Sequence, residues 1–280
     1  MPAPQYAVTG ATGQIGGRVA RALAAAGAAQ RLVVRDSSRA PRLPGAEVAV
    51  ASYDDAEAMR SAFGGVETLF MVSGEENPDR LAQHLRCVDA AVAAGVRRIV
   101  YTSYVGAAPD ATFTLARDHW ATEEHIRASR LGWTFLRNNL YADFLPLMVG
   151  EDGVIRGPGG DGRVSVVARD DVGAVAARVL LEVGRHDGTT YGLTGPEALS
   201  FDEIGHLLSG AVGRPISYQD ETLEEAYASR ARYAAPAWQV DAWVSMYVAI
   251  AAGEMAEVTD AIPRVLGRPA TPFVEVVARG

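Results

Sequence analysis

The 280 residues of the chain are 49% hydrophobic and 21% charged, a balance typical of a soluble globular protein. A formal net charge of −8 without any dense basic tract argues against nucleic acid as a partner. The N-terminal residues lack the pattern of a signal peptide, and the longest mostly apolar run, residues 242–252, is too short to span a bilayer. The single cysteine, Cys87, cannot form an internal disulfide, so we expect a cytoplasmic protein with no membrane partner.

A glycine-rich turn follows the first predicted strand, residues 6–8. In such a turn, glycines three residues apart permit the sharp turn, the approach of the backbone to a phosphate, and the packing of the next helix against the sheet. The free N–H groups and the positive dipole end of that helix then face a pyrophosphate. We therefore predict dinucleotide binding by the residues of this turn, which are Thr9, Gly10, Thr12, Gly13, Gln14, Ile15 and Gly16.

Strand-like and helix-like segments alternate through the first half of the chain. The predicted strands are residues 30–34, 47–51, 68–72, 98–103 and 133–137, and the predicted helices are residues 54–63, 78–94 and 117–129. In the middle helix we predict a buried stripe of Leu81, Leu85, Val88 and Val92. Near-continuous apolar strands separated by helices are typical of an α/β, doubly wound parallel sheet (Rossmann), here with a smaller, mainly helical C-terminal part.

The end of the second strand selects the dinucleotide. Proteins that bind NAD usually carry an acidic residue there, which holds the ribose 2′-hydroxyl. Here the strand ends in Arg35, with Arg39 four residues later, and guanidinium groups suit a 2′-phosphate through charge-assisted hydrogen bonds. We interpret Asp36 as turning outward, where it can pair with an arginine; the alternative for the whole segment is a solvated charged loop. The sequence therefore favours NADP (NADPH) over NAD.

A family pattern extends along nearly the whole chain. It consists of residues 9–16, Arg35, residues 53–55, 101–103, 119–123, 133–138 and 169–172, and the closing residues 267–269 and 272–273. Together these stretches resemble the NmrA-like branch of the atypical short-chain dehydrogenases/reductases, and within it the bacterial NAD(P)H:quinone oxidoreductases. The resemblance implies an oxidoreductase and adds Asp54 to the cofactor-binding residues. One departure is Ser52, where such proteins often carry an aspartate.

Short-chain dehydrogenases usually pair a catalytic tyrosine with a lysine, yet all 26 basic residues of this chain are arginine. A tyrosine–lysine relay and Schiff-base chemistry are therefore excluded. The comparable stretch contains His119, whose imidazole can donate or accept near the nicotinamide ribose and, when protonated, can supply a proton near neutral pH. The alternative for His119 is a structural hydrogen bond. His125 lies about 240° around the helix, so the two cannot share a metal, and we predict no metal site.

The loops after the strands supply the remaining candidates, because ligands bind at the carboxyl ends of parallel strands. We expect Ser73 and Gly74 along the ribose and pyrophosphate of the cofactor. Ser103 and Tyr104 are expected to face the nicotinamide, and with His119 they form the predicted catalytic group; Ser103 and His119 are also predicted to bind the cofactor.

Asn138 and Tyr141 follow the sixth strand and are expected to offer an amide and a hydroxyl to the cofactor or the substrate. Beyond about residue 145 we predict a short strand at 164–168, a helix capped by Asp170 or Asp171 that ends at residue 181, and helices at 201–212, 223–232 and 238–252. The aromatic cluster of the last helix is either core or the lining of a substrate site. We predict a dinucleotide-binding domain at 1–145, to which 164–184 return, and a smaller substrate-binding part at 146–163 and 185–280.

These observations predict an NADPH-dependent oxidoreductase that transfers hydride to a quinone or a related aromatic carbonyl small molecule. A quinone accepts hydride as a delocalised phenolate, so it needs a weaker acid than a simple ketone, which suits a lysine-free site. Two alternatives stay open. One is a non-catalytic NADP-binding redox sensor of the NmrA type, and the other is a tailoring reductase for a polycyclic aromatic, polyketide-like intermediate of secondary metabolism. The oligomeric state is also open, with a homodimer as one option.

Overall fold

The computed structural model describes residues 4–279, so residues 1–3 of the N-terminal stretch considered above and residue 280 lie outside the described residues. The strands are β1 (Tyr6–Thr9), β2 (Gln30–Val34), β3 (Ala46–Val50), β4 (Thr68–Met71), β5 (Arg98–Tyr104), β6 (Gly132–Asn138), β7 (Val154–Gly157), β8 (Arg163–Val164), β9 (Thr189–Leu193), β10 (Leu199–Ser200) and β11 (Ser217–Asp220). The helices are α1 (Gln14–Ala25), α2 (Ala56–Phe63), α3 (Arg80–Ala93), α4 (Thr114–Ala128), α5 (Arg169–Leu181), α6 (Phe201–Val212), α7 (Leu223–Arg230), α8 (Ala237–Ala251), α9 (Ala261–Leu266) and α10 (Phe273–Val277). Short 3-10 helices occupy Ser37–Arg39, Ala142–Met148 and Ala231–Tyr233.

A seven-stranded sheet in the order β3-β2-β1-β4-β5-β6-β9 organises the fold. β1 pairs in parallel with both β2 and β4, and the pairs β2–β3 and β4–β5 are parallel as well. The strand order reverses at β1, so the point where ligands bind in such sheets lies beside the end of β1. The predicted doubly wound parallel sheet is confirmed, and the predicted strand ends in this region differ from the observed ones by at most one residue.

The chain divides into two compact units. The first unit comprises the described residues up to Ser103 together with Asp118–Arg137 and Asp170–Tyr191. The second comprises Tyr104–Arg117, Asn138–Arg169 and the described residues from Gly192 onwards. The predicted division into a dinucleotide-binding and a substrate-binding part stays a prediction, because compactness alone assigns no ligand to either unit. Within residues 4–279, no helix has the length and apolar character needed to cross a membrane.

Each unit has its own hydrophobic core. In the first unit the near-continuous apolar strands bury Leu69 and Phe135 among residues of the flanking helices such as Phe63. In the second unit Phe201 and Tyr247 anchor the core, with ring centroids 5.0 Å apart. The aromatic cluster of α8 was predicted to be either core or the lining of a substrate site. For Tyr247 the first interpretation holds, because it belongs to the core.

The buried stripe of α3 differs from the predicted one. Val88 is buried as predicted, whereas Val92 is 44% exposed. The residues that α3 buries are Arg80, His84, Cys87, Val88, Ala90 and Ala91. Leu81 and Leu85 are half-buried, so the prediction was right for Val88 and wrong for Val92. It missed Arg80 and His84 because their burial depends on hydrogen bonds, which a pattern of apolar residues does not register.

The helix predicted to follow a cap at Asp170 or Asp171 begins two or three residues earlier, since α5 starts at Arg169. Asp170 and Asp171 therefore lie in the first turn of α5, and neither is the cap. In that turn the positive end of the helix dipole stabilises acidic side chains. Asp170 accepts a hydrogen bond from the Nε of Arg18 at 2.6 Å, while Asp171 is fully buried.

Two predicted elements of the second unit are shorter than expected. The strand predicted at 164–168 is reduced to β8 and a single parallel bridge between Tyr141 and Val167. The helix predicted at 223–232 ends at Arg230 and continues as the 3-10 helix Ala231–Tyr233. The second difference lies at a helix end, where assignments vary by one or two residues, whereas most of the predicted strand is absent.

The glycine turn after β1 has the geometry that its spacing predicts. Gly10 has φ +61°, in the left-handed region that glycine adopts without strain. A Cβ atom placed on Gly16 would lie 2.3 Å from the carbonyl oxygen of Gly10 and 2.6 Å from that of Thr9. The start of α1 therefore packs against the end of β1 at a distance that only glycine permits.

We expect Gly16→Ala to lower the free energy of unfolding by about 1–3 kcal/mol or more, because the added methyl group meets rigid backbone atoms. The matched control is Gly210→Ala on the exposed side of α6, where an added Cβ has no neighbour within 4 Å. This control should stabilise the protein by about 0.5–1 kcal/mol. Urea unfolding of both variants measures the difference, and equal effects would contradict the close packing of α1 on β1.

Candidate functional site

The N-terminus of α1 lies directly after the glycine turn. Gly13 is the N-cap residue of α1 and donates its N–H to the carbonyl of Gly10 at 2.8 Å. The N–H groups of residues 14–16 lie in the first helical turn, where helix geometry provides no intrahelical acceptor. Thr12 and the Gln14 side chain are exposed, whereas the Ile15 side chain is buried. This end of α1 therefore offers backbone donors and a positive dipole end to an anion.

Thr9, at the end of β1, has its side chain engaged inside the protein. Its Oγ1 accepts a hydrogen bond from the N–H of Val72 at 2.9 Å and lies 2.7 Å from the hydroxyl oxygen of Tyr53. The Tyr53 hydroxyl donates to the carbonyl of Val72 at 2.6 Å. Both bonds end on the first residue of the segment after β4, residues 72–74, which we call the β4 exit loop. The Thr9 hydroxyl therefore has a structural task, and the predicted contact of Thr9 with the cofactor stays a prediction.

The rest of the β4 exit loop is held by side chains as well. The N–H of Ser73 donates to the Oγ1 of Thr102 at 2.8 Å, and the N–H of Gly74 donates to the Nε2 of His84, also at 2.8 Å. The Nε of Arg80 donates to the carbonyl of Gly74 at 3.1 Å. Side chains from β5 and α3 therefore fix the backbone of the two residues predicted to lie along the cofactor.

Arg80 lies at the centre of a buried hydrogen-bond network and is only 4% exposed. Besides Gly74, its guanidinium donates to the Oδ2 of Asp118 at 3.0 Å and to the Nε2 of His119 at 2.8 Å. An arginine can only donate, so the Nε2 of His119 must accept. The proton of the neutral imidazole is then on Nδ1, which lies 2.8 Å from the hydroxyl oxygen of Tyr101.

The surroundings of His119 oppose its protonated form. Burial, followed by the positive charge of Arg80, lowers the pKa of His119 well below its ordinary value. The expectation that His119 supplies a proton near neutral pH is therefore not supported by this geometry. Its place in the catalytic group stays a prediction for the neutral imidazole.

His84 is the second neutral histidine of this network, and the sequence pattern missed both it and Arg80. Its Nε2 accepts from the N–H of Gly74, so its proton is on Nδ1, which lies 3.0 Å from the hydroxyl oxygen of Thr122. Burial, followed by the charge of Arg80, lowers the pKa of His84 well below its ordinary value. The spacing of Arg80, His84 and Cys87 on one helix face is the signal that reveals them, provided that polar residues are counted.

Ser103 donates its hydroxyl hydrogen bond to the Oε1 of Glu123 at 2.6 Å and is buried. Glu123 is fully buried and also accepts two hydrogen bonds from Arg137, at 2.8 and 2.7 Å, and one from Arg127 at 3.2 Å. These donors compensate the buried carboxylate. Because the Ser103 proton is committed to Glu123, the geometry does not favour the predicted action of Ser103 on a substrate.

The end of β2 carries the two arginines predicted to select NADP. Arg35 is exposed and forms a bidentate ion pair with Glu75, with oxygen distances of 2.8 and 3.2 Å. Asp36 caps the following 3-10 helix, Ser37–Arg39, and within residues 4–279 it forms no ion pair with an arginine, the pairing that we considered. Arg39, the last residue of that short helix, is exposed. The structure therefore places a guanidinium at the predicted position, opposite a carboxylate from the loop after β4.

Asp54 lies at the surface beside α3. Its Oδ1 accepts hydrogen bonds from the Nε2 of Gln83 at 3.0 Å and from Arg86 at 3.1 Å. Its N–H donates to the hydroxyl of Ser52, the residue that departs from the family pattern. The predicted contact of Asp54 with the cofactor stays a prediction.

The second unit contains the other predicted candidates. Tyr104 packs against Phe113, with ring centroids 5.0 Å apart, and burial raises the pKa of its hydroxyl. The Nδ2 of Asn138 donates to the hydroxyl oxygen of Tyr141 at 3.1 Å. The guanidinium carbon of Arg169 lies 5.2 Å from the centroid of the Tyr141 ring. Burial raises the pKa of Tyr141 to about 12, against the opposing charge of Arg169 and the hydrogen bond from Asn138.

The doubly wound sheet and the glycine turn define a dinucleotide-binding protein. Within residues 4–279, no group of three or more His, Cys, Asp or Glu residues is placed to hold a metal ion. The model of the NmrA-like family matches residues 4–260, and the chain belongs to that family. The resemblance inferred from the sequence is confirmed.

Relatives of known activity match nearly the whole chain. The NAD(P)H azoreductase of Xenophilus azovorans is 33% identical over 96% of this chain and 95% of its own. The NADPH-dependent quinone oxidoreductase of Escherichia coli, in its crystal structure with NADPH, is 32% identical in sequence to this chain. The two structures superpose with a TM-score of 0.89 over 98% of this chain and 99% of the other. The triphenylmethane reductase of Citrobacter sp. with NADP(H) is 34% identical, with a TM-score of 0.86 and the same shares.

We expect the free energy of unfolding to fall by about 1.4 kcal/mol per pH unit for each of His84 and His119 below pH about 6.5. Because both pKa values are lowered in the folded protein, the unfolded chain binds more protons in this range, and stability is lost until the folded pKa is reached. Urea unfolding at pH 7, 6 and 5 measures the slope.

The variant that checks this expectation is His84→Gln, which keeps an acceptor for the N–H of Gly74 and does not titrate. It should remove about half of the slope. His206→Gln, at an exposed position of α6, is the matched control and should keep the wild-type slope. An unchanged slope in His84→Gln would mean that burial does not hold His84 neutral.

Proposed function

We propose that the protein transfers hydride from NADPH to a quinone or a related conjugated aromatic carbonyl compound. The protein is an NAD(P)H-dependent oxidoreductase that acts on a small molecule, and its cofactor is NADP(H), as the sequence predicts. The activity and the cofactor both agree with those named for the relatives described above. The quinone is our proposal, as are the individual roles of the site residues. The cytoplasmic location, the homodimer and the absence of a nucleic-acid partner stay predictions.

The residues of the first unit fit NADP(H). The first turn of α1 presents backbone donors to the pyrophosphate, and Gly10, Gly13 and Gly16 add no side chains of their own to the turn. Arg35 provides a guanidinium for the 2′-phosphate at the position where an acidic residue would select NAD. Ser73 and Gly74 follow β4, beside β1 in the sheet, and their backbone is held in place by buried side chains.

The observation that carries the proposed substrate class is the lack of a strong acid among the candidate groups. The chain contains no lysine, burial and then the charge of Arg80 lower the pKa of His119 well below its ordinary value, and Ser103 donates to Glu123. A simple ketone needs a proton as it accepts hydride, because its alkoxide is strongly basic. A quinone spreads the charge over a ring, so hydrogen bonds alone stabilise its product.

NADPH supplies the hydride when it is bound. In our proposal the chain orients both reactants and excludes water, while α1 and Arg35 hold the phosphates at fixed positions. The hydride bonds to one oxygen of the quinone, the displaced π electron pair ends on the other oxygen as a phenolate, and a proton from solvent completes the hydroquinone. The task of the β4 exit loop is to keep a constant shape beside the cofactor.

We expect Arg35→Gln to weaken NADPH binding about ten- to hundredfold and to leave NADH binding nearly unchanged, because a charged hydrogen bond contributes about 1.5–3 kcal/mol. Glu75→Gln should tighten NADPH binding about two- to fivefold, since the carboxylate no longer competes with the 2′-phosphate for Arg35. Fluorescence titration with both dinucleotides measures these effects.

The matched control for this pair is Arg60→Gln, which removes a surface arginine that pairs with Glu57 on α2. It should bind both dinucleotides like the wild type. An equal loss of NADPH and NADH affinity in Arg35→Gln would show that Arg35 does not face the 2′-phosphate.

The proposed activity is tested by following NADPH absorbance after the addition of quinones, an azo dye, a triphenylmethane dye and polycyclic aromatic carbonyl compounds. We expect steady NADPH oxidation with simple quinones. Tight NADPH binding without oxidation of any acceptor would favour the redox sensor. Turnover confined to the polycyclic compounds would favour the tailoring reductase of secondary metabolism.

A further inference from the structure

Two polar side chains of the second unit have unused hydrogen-bonding capacity. Asn138 is the last residue of β6 and is 2% exposed, and its Nδ2 donates to the hydroxyl oxygen of Tyr141 at 3.1 Å. Its Oδ1 is buried and has no hydrogen-bond partner within residues 4–279. Buried polar atoms almost always have a partner, so an orphaned amide oxygen at a strand end indicates a place where a ligand binds.

The hydroxyl of Tyr141 is oriented by Asn138 and keeps a donor available. Because Asn138 donates to it, one lone pair of the Tyr141 oxygen is occupied and its own proton points elsewhere. The described part of the chain provides no acceptor for that proton, and Tyr141 is only half-buried. The hydroxyl can therefore donate to an oxygen atom of a bound molecule.

Arg169 adds a positive charge to this arrangement. Its guanidinium carbon lies 5.2 Å from the centroid of the Tyr141 ring, in the range of a cation–π contact. Its backbone N–H donates to the Oδ2 of Asp143 at 2.9 Å, which fixes the start of α5. A cation next to a tyrosine is the combination that a lysine provides in other reductases, and this lysine-free chain has an arginine there.

We propose that Tyr141 is a catalytic residue that donates a hydrogen bond to the carbonyl oxygen of the bound quinone as this oxygen becomes negative. Asn138 orients the hydroxyl, and Arg169 strengthens it as a donor. The assignment rests on the proposed function. The position agrees with it, because Asn138 ends a strand of the parallel sheet, at the edge where ligands bind, and Tyr141 follows three residues later.

The step is a hydrogen bond rather than a proton transfer. A phenol in water has a pKa of about 10, whereas that of Tyr141 is raised to about 12, so the residue keeps its proton at neutral pH. In this step the hydride bonds to one carbonyl oxygen of the quinone, and the displaced π electron pair ends on the other carbonyl oxygen, the one that Tyr141 contacts. A solvent proton then converts this phenolate into the hydroquinone, and NADP⁺ is the second product.

The test is Tyr141→Phe, which keeps the ring and its contact with Arg169 and removes only the hydroxyl. We expect kcat with quinones to fall about ten- to a hundredfold, which is somewhat less than the effect of removing an oxyanion donor in a hydrolase. The Kd for NADPH should stay within about twofold of the wild-type value. Tyr227→Phe is the matched control, because its hydroxyl bonds to Asp241 on the surface of the same unit; it should behave like the wild type.

A series of quinones separates this role from a structural one. If Tyr141 stabilises the phenolate, the loss in Tyr141→Phe grows with the basicity of the hydroquinone formed. A double-mutant cycle adds a second readout, since Arg169→Met should lower kcat in the wild type and have little further effect in Tyr141→Phe.

Three results would overturn the assignment. The first is that Tyr141→Phe keeps the wild-type kcat with every quinone. The second is a loss of kcat that is equal for all quinones of the series, and the third is a loss of activity that weaker NADPH binding explains entirely. Each of these leaves the proposed function standing, provided that the wild type reduces quinones. A wild type that oxidises no NADPH with any quinone would instead remove the proposed function and, with it, the role of Tyr141.

Discussion

The buried guanidinium of Arg80 is the interaction on which the first unit depends. A buried cation is costly unless its donors are all satisfied, and Arg80 reaches the carbonyl of Gly74, the carboxylate of Asp118 and the ring of His119 at once. These bonds join α3 and α4 to the loop after β4. His84 holds the N–H of the same glycine, so one residue has both of its backbone polar groups fixed by side chains of a single helix. The rigidity of the predicted cofactor loop follows from this arrangement.

The same network determines which chemistry is available. Because Arg80 can only donate, the neutral His119 accepts at Nε2, and its Nδ1–H donates to the hydroxyl oxygen of Tyr101. The imidazole therefore positions this hydroxyl without acting as an acid. The absence of lysine from the chain points in the same direction. The groups that remain, in our proposal above all Tyr141, stabilise negative charge through hydrogen bonds. An acceptor that delocalises the charge it receives matches such groups better than an isolated carbonyl does.

The local sequence predicted the parts of the site whose conformation depends on near neighbours. Gly10 is needed because its own φ is positive, and Gly16 because of contacts six and seven residues back in the chain. Arg35 follows a strand that an apolar run marks clearly. The stripe of α3 was misjudged because apolar periodicity ranks Val92 above His84, although His84 has buried partners 10 and 38 residues away in the chain. Local sequence also gave no sign that Ser103 donates its proton to a glutamate 20 residues further on. Its predicted place beside the nicotinamide stays a prediction.

By itself, the sequence determined the doubly wound fold, the family, the dinucleotide turn and the exclusion of lysine chemistry. These follow from short-range patterns and from composition, which need no knowledge of distant contacts. Only the tertiary structure decided that His119 is a neutral acceptor, that Arg80 and His84 hold the loop after β4, and that Glu75 pairs with Arg35. The reason is that hydrogen-bond direction and protonation depend on which donors and acceptors meet across the fold, and residues far apart in the chain supply them.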